Sequence, residues 1–308
     1  MHTVRLHVAF AAALAVASAQ TPATPNRSAL PLPAGVVAHR DLAYVAGGHE
    51  RQKLDLFLPK DVRGPLPVII WVHGGGWQNG SKDNVLPLRL GFIARGYAIA
   101  SIGYRLTDAA IFPAQIQDVK AAIRWLRAHA REHQLDSRRF AAWGSSAGGH
   151  LVALLGTAGD VKAFDVGAQL EQSSRVQAVV DYFGPSDFVR FVETPGFASH
   201  AQPGSPESKL IGGLVLENKD KAAAASPVTY VSRTSAPFFI LHGADDPTVP
   251  RNQSETLHAA LVRAGATSTL QIISGAKHGG PEFSSPENIA RVVAFLGQHL
   301  GRGGQTAP

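Results

Sequence analysis

The stretch A-A-W-G-S-S-A-G-G, Ala141 to Gly149, decides how this chain is read. A strand-like approach, Arg139 to Trp143, runs into Gly144-Ser145-Ser146-Ala147-Gly148, and a helical pattern carried by Leu151, Val152, Leu154 and Leu155 follows at once. This is G-x-S-x-G between a strand and a helix. In such a turn the middle serine takes a strained backbone conformation, and the flanking glycines are needed because a side chain there would strike the neighbouring strand or helix. The serine hydroxyl is held out above a sheet, and the next amide points at the oxygen of whatever the serine attacks. Ser146 is the candidate nucleophile, and Ser145 fills the variable place of the motif. Taken alone the pentapeptide also suits an inert Gly/Ser loop; the strand before it and the helix after it argue for chemistry.

Outward from this turn, strand and helix signals alternate. Pro67 to Val72 (P-V-I-I-W-V) is continuously apolar and β-branched, as a strand covered on both faces must be. The same character returns at Tyr97–Ile102, Phe140–Trp143, Val176–Phe183 and Pro237–Leu241, with a last candidate at Ser268–Ile273. Lys53 to Leu58 alternates as a half-buried strand, with Asp41–Val45 as a weaker partner across a Gly47-Gly48 turn. Helical patterns occupy Pro87–Arg95, Pro113–His133, Ala147–Leu155, Arg251–Ala264 and Pro286–Leu300. The alternation predicts an α/β fold: a doubly wound, mostly parallel eight-stranded sheet with helices on both faces. Gly184 to Ser226 breaks the rhythm with only short helical stretches, and a connection this long predicts a small cap or one wall of a pocket, a surface excursion being the plainer alternative.

A chain of 308 residues with 45% hydrophobic and 17% charged residues can bury a sizeable core, and the absence of repeats favours one domain, expected over residues 41–303. The net charge of +6 comes from scattered Lys and Arg rather than a basic run, which argues against a nucleic-acid partner. With no cysteine, thiolate catalysis, disulfides and Cys-ligated zinc are excluded. Met1 to Ala19 carries Arg5, the apolar run Val8–Ala17 and a small-x-small site, so it reads as a signal peptide cleaved after Ala19, implying a secreted or periplasmic protein. The run is too short to span a bilayer, so no integral membrane association is expected. Residues 20–40 read as a flexible leader.

Catalytic groups in an open parallel sheet gather at the carboxyl ends of the strands. Strand 68–72 ends in His73-Gly74-Gly75-Gly76-Trp77, where consecutive free amides suit an oxyanion hole completed by Ala147. A phosphate cradle would need G-K-S/T opening the next helix, and Trp77-Gln78-Asn79-Gly80 stands there instead. His73 reads as a structural support of the loop. Strand 237–241 ends in H-G-A-D-D-P, with Asp246 preferred over Asp245 because Pro247 fixes its turn; strand 268–273 ends before Gly275-Ala276-Lys277-His278-Gly279-Gly280. Of the thirteen histidines only His278 follows the last strand within reach of such a loop. Serine, acid, histidine is the chain order that a nucleophile elbow organises in an α/β-hydrolase.

The sequence resembles secreted α/β-hydrolase carboxylesterases of the bifunctional feruloyl and acetylxylan esterase type, neighbours of the hormone-sensitive-lipase esterases. The resemblance runs from Asp55 to Leu300. It rests on W-V-H-G-G-G-W-Q-N-G-S-K (71–82), F-P-A-Q-I-Q-D-V-K-A-A-I-R-W-L (112–126), W-G-S-S-A-G-G-H-L (143–151), V-V-D-Y-F-G-P-S-D-F (179–188), H-G-A-D-D-P-T-V-P (242–250) and G-A-K-H-G-G (275–280). It implies Ser146, Asp246 and His278 as the triad and Gly75, Gly76 and Ala147 as oxyanion donors, some relatives using the amide at Trp77. Gly103 departs from the pattern, which usually has an acid there, and so puts a charge network behind the oxyanion loop in doubt.

The expected reaction is two-step hydrolysis of carboxylic esters with small acyl groups, on a small-molecule or polysaccharide-linked substrate, with no cofactor and no metal. Trp77 and Phe188, with Phe191 and Phe197, either line the acyl side or belong to the core. Amide or peptide cleavage on the same triad would need a charged anchor, for which Glu193 or Glu207 is available. A catalytically inactive binding protein would lack a triad member, and all three are present.

Overall fold

In the computed structural model, which describes residues 32–62 and 64–301, the frame is an eight-stranded sheet in the order β1-β2-β4-β3-β5-β6-β7-β8. The strands are β1 (Val36–Ala43), β2 (Lys53–Pro59), β3 (Leu66–Val72), β4 (Ala98–Ile102), β5 (Leu135–Ser145), β6 (Ala178–Tyr182), β7 (Phe238–Gly243) and β8 (Ser268–Ile273). β1 and β2 pair antiparallel, as do β2 and β4, and every other pairing is parallel.

β3 shows why the apolar runs read as central strands. All seven of its residues are buried. Val68, Ile70 and Val72 enter the core on one face, with α2 (Ala114–Ala128), α3 (Ala147–Thr157) and α7 (Asn252–Arg263); Ile69 and Trp71 enter the core on the other, with α8 (Pro286–Leu300) and the segment around Phe92. A strand with helices on both faces has no polar side to alternate with. The six parallel strands β3 to β8 thus bring their carboxyl ends to one edge, and the site lies there, beyond β3, β5, β7 and β8.

Several boundaries differ from expectation: the helix expected over 113–133 ends at Ala128 and β5 begins at Leu135, ahead of the apolar run. Residues 36–40, read as flexible leader, pair with β2 in β1; this edge strand is mostly exposed and so gives no apolar signal. The helix expected over 87–95 is two pieces, α1 (Leu86–Arg89) and a 3-10 turn (Ile93–Arg95), because Gly91 turns left-handed (φ 71°) between them. The signal-peptide reading of residues 1–19 and the leader up to residue 31 lie outside the described residues. Among the described residues no helix is long and apolar enough to cross a membrane.

Candidate active site

At the elbow, β5 ends at Ser145 and α3 begins at Ala147, leaving Ser146 alone at φ 56°, ψ −123°. A non-glycine residue held there costs about 1–3 kcal/mol and persists only where the surroundings over-determine it. Here the Ser146 amide donates to the carbonyl of Tyr182 at 2.9 Å, and its carbonyl accepts from the His150 amide at 2.9 Å. The packing beneath is backbone on backbone. A Cβ on Gly148 would collide with the carbonyl of Val72, and one on Gly74 would stand 2.7 Å from the carbonyl of Ser145 and 3.2 Å from the Ser146 Cβ. The absence of side chains at these two positions lets the loop after β3 lie directly on the elbow.

Three side chains from three strand ends meet above it. His278 Nε2 is 2.9 Å from Ser146 Oγ, and His278 Nδ1 is 2.7 Å from Asp246 Oδ2. A carboxylate only accepts, so Nδ1 carries the proton and the Nε2 lone pair faces the serine hydroxyl. Asp246 Oδ1 accepts the amides of Thr248 at 2.8 Å and Val249 at 3.0 Å. The Asp246 side chain is fully buried, and burial by itself would raise its pKa; hydrogen bonds from His242 and His278, the charge of His278 and the Val249 amide outweigh it and hold the group well below the usual carboxylate range. Asp245, the alternative acid, is exposed and reaches this loop only through its amide, bonded to the carbonyl of Ala276 at 3.0 Å. Two contacts went unread in the sequence. Phe183, itself at φ 45°, lays its ring 4.6 Å from the His278 imidazole, and His242, four residues before Asp246, approaches the same carboxylate oxygen at 3.3 Å.

The loop after β3 is tied by its own backbone, the Gly75 carbonyl accepting from Gln78 at 3.1 Å and from Asn79 at 2.9 Å. Among the described residues the amides of Gly75, Gly76 and Trp77 donate to no other backbone group. His73 underpins this loop. Its Nδ1 donates to the Gly74 carbonyl at 2.7 Å, its ring stacks 4.4 Å from Tyr104, and the Tyr104 hydroxyl donates to its carbonyl at 2.9 Å. Burial pushes its pKa down to about 4, so it is neutral at pH 7. The charge network that Gly103 put in doubt is supplied from α2: Asp118 holds Arg105 at 2.7 Å and accepts from Gln52 at 2.7 Å.

The side chains of Trp77 and Phe188 are corrected from substrate contacts to core. They are 1% and 0% exposed, 5.6 Å apart edge to face, and the Trp77 indole N–H donates to His150 Nδ1 at 3.2 Å. An indole needs one acceptor when buried, and a histidine from α3 provides it. Phe191 is equally buried. The 184–226 segment folds into α4 (Phe188–Glu193), α5 (Pro206–Ile211) and α6 (Lys219–Ala225). Within it Pro206 borders the loop after β3, a Cβ on Gly76 standing 3.4 Å from it, and Lys209 Nζ donates to Gln78 Oε1 at 2.7 Å. Glu207 is buried and engaged by His200 Nδ1 at 2.9 Å, while Glu193 is exposed at the end of α4.

A mostly parallel sheet, a strained serine between strand and helix, and an acid and a histidine from later strand ends define the class: an α/β-hydrolase organised by a nucleophile elbow. The chain belongs to the BD-FAE family, whose pattern matches residues 54–261. It is similar to the esterase LipQ of Mycobacterium tuberculosis (strain ATCC 25618 / H37Rv), with 32% identity over 269 residues, 85% of this chain and 62% of LipQ. Among solved structures it resembles a truncated carbohydrate esterase from gut microbiota, with TM-score 0.78, 30% identity, and coverage of 86% of this chain and 97% of that one. It also resembles a bifunctional GH43-CE protein of Bacteroides eggerthii, with TM-score 0.77, 34% identity, and coverage of 86% and 35%. The chain spans 44% to 62% of the length of the mycobacterial relatives LipQ, LipM and LipC.

Proposed function

We propose that this chain is a serine carboxylesterase acting on esters of small acyl groups, with acetyl or feruloyl esters of plant polysaccharide as the favoured natural class. The observation that carries the reading is the unbroken line from Ser146 Oγ through His278 to Asp246 Oδ2, with contacts of 2.9 and 2.7 Å. His278 Nε2 takes the hydroxyl proton as Ser146 Oγ attacks the ester carbonyl. The amide of Ala147 and those of the Gly75-Gly76-Trp77 turn receive the oxyanion. The imidazolium then protonates the leaving alcohol, and water, deprotonated by the same histidine, releases the acid and restores the serine. Polysaccharide esters are favoured by the likeness to a protein described as a carbohydrate esterase. A peptidase reading lacks support, because Glu207 already has a partner and Glu193 faces solvent. Export through residues 1–19 fits a polymeric substrate outside the cell, and the N-terminal mass of the mature protein tests it.

The test is a panel of p-nitrophenyl acyl esters, methyl ferulate and acetylated xylan, run with wild type and Ser146→Ala. Turnover should fall on the order of 10^6-fold in the variant, and a fluorophosphonate probe should add its mass to the wild type only. Wild-type rates in Ser146→Ala on every substrate would sink the assignment.

A further inference from the structure

The triad acid is touched by a second histidine. His242 stands at the end of β7, and its side chain and that of Asp246 are both fully buried. Its Nε2 lies 2.9 Å from the carbonyl of Val249 and 3.3 Å from Asp246 Oδ2, and its Nδ1 lies 2.7 Å from Ser254 Oγ on α7. The carbonyl and the carboxylate only accept, so Nε2 carries a proton: it donates to the Val249 carbonyl and lies beside the charged Asp246 oxygen, and Nδ1 takes the hydroxyl proton of Ser254. A relay thus runs from Ser254 through His242 to the oxygen that His278 uses from the opposite side.

We propose that His242 is a positioning residue: it fixes Asp246 Oδ2 in line with His278 and, by sharing that oxygen, limits how strongly the carboxylate stabilises the His278 imidazolium. The inference rests on the triad reading above. With two amides on Oδ1, the His278 N–H on Oδ2 and the His242 ring nitrogen 3.3 Å from the same oxygen, the carboxylate is held against rotation. Remove the second imidazole and Oδ2 has one donor left, so its full charge acts on His278. The titratable groups facing His242 are Asp246 on its own loop, His278 beyond β8, and Asp181 of β6, pushed up to about 6 by burial with one oxygen on the Gly184 amide. α7 contributes only Ser254, and the Phe183 ring lies against both imidazoles.

The experiment measures kcat and KM for p-nitrophenyl acetate against pH in wild type, His242→Phe, His242→Gln, Ser254→Ala and Ser146→Ala, each checked for folding by circular dichroism. In His242→Phe the acid limb should move up by about half to one pH unit, the size of one lost hydrogen bond, with kcat about tenfold lower and KM unchanged. His242→Gln, whose amide reaches the place of Nε2 and can donate, should return the limb to its wild-type position. Ser254→Ala should move the limb part of the way. A folded His242→Phe with the wild-type limb, or a His242→Gln shifted as far as the phenylalanine variant, would overturn the inference. If His242→Phe does not fold, an unmoved limb in Ser254→Ala overturns it. Full activity in Ser146→Ala would instead refute the triad reading, whereas an inactive Ser146→Ala beside an unmoved limb refutes only the role of His242.

Discussion

Replacing Asp246 by Asn keeps its shape and inverts its chemistry. Oδ1 can still accept the amides of Thr248 and Val249, so the loop between β7 and α7 keeps its turn and the new amide group faces His278. That group donates, so His278 Nδ1 must accept, the ring proton moves to Nε2, and Nε2 now donates to Ser146 Oγ where before it accepted. The base is lost without moving an atom by more than a bond length. Recovering it requires the disfavoured tautomer at both ends of the ring and an imidazolium with no carboxylate beside it. Two charge-assisted hydrogen bonds are forfeited, at about 1.5–3 kcal/mol each. Together that is roughly 10^2- to 10^4-fold in kcat at 1.36 kcal/mol per decade. The assay is p-nitrophenyl acetate hydrolysis at pH 8 with a urea melt alongside, and Asp245→Asn, an exposed neighbour, as control. An Asp246→Asn variant that folds and keeps more than a tenth of wild-type kcat would refute the reasoning, as would an equal loss in Asp245→Asn.

Phe188→Ala should destabilise the fold by about 3–5 kcal/mol, as deletion of a fully buried ring does, while KM for p-nitrophenyl acetate stays within twofold at a temperature where the variant remains folded; a raised KM with unchanged stability would return Phe188 to the substrate side. Acid stability provides another check. His73 and His150, pushed down to about 4 by burial, stay neutral in the folded chain while the unfolded chain takes protons near 6.5. Their contribution is therefore complete above about pH 6.5 and drains as pH falls toward 4, by up to about 3 kcal/mol each. A urea midpoint that is the same at pH 7 and pH 4.5 would contradict this.

The frame was legible in the residues where burial on two faces leaves a one-dimensional trace. β3, β4 and β7 are continuous apolar runs, and each strand end carrying a candidate group was marked by glycines. The trace fades at an edge. β1 has one paired side and mostly exposed side chains, so its first part, V-V-A-H-R, looks like leader and only D-L-A onward reads as a weak strand. Periodicity also passed through Gly91, because the apolar spacing on either side of the kink continues as though the helix did. The aromatic residues of the 184–226 segment were ambiguous for a different reason. Whether Phe188 faces a ligand or a core depends on Trp77 and His150, more than thirty residues away, and no local pattern encodes that meeting. His242 was overlooked inside its own motif: four residues before an acid, a histidine reads as part of the strand end, and only the fold of the loop turns its Nε2 back onto that acid.

Helix α3 has a consequence beyond holding the elbow. Its eleven residues, A-G-G-H-L-V-A-L-L-G-T, carry no charge beyond the neutral His150; its first turn has no acid, and no side chain caps its start. The peptide dipoles of such a helix add to roughly half a positive charge at the amino end, and none of the helix's own side chains offsets it where the tetrahedral oxygen would form. Every residue of the helix is buried, so screening by mobile ions is limited to its amino end, which opens on the partly exposed Ser146. The helix's share of the potential at the reaction centre is therefore a property of the backbone: it does not titrate, and exchanging charges on the protein surface leaves it in place.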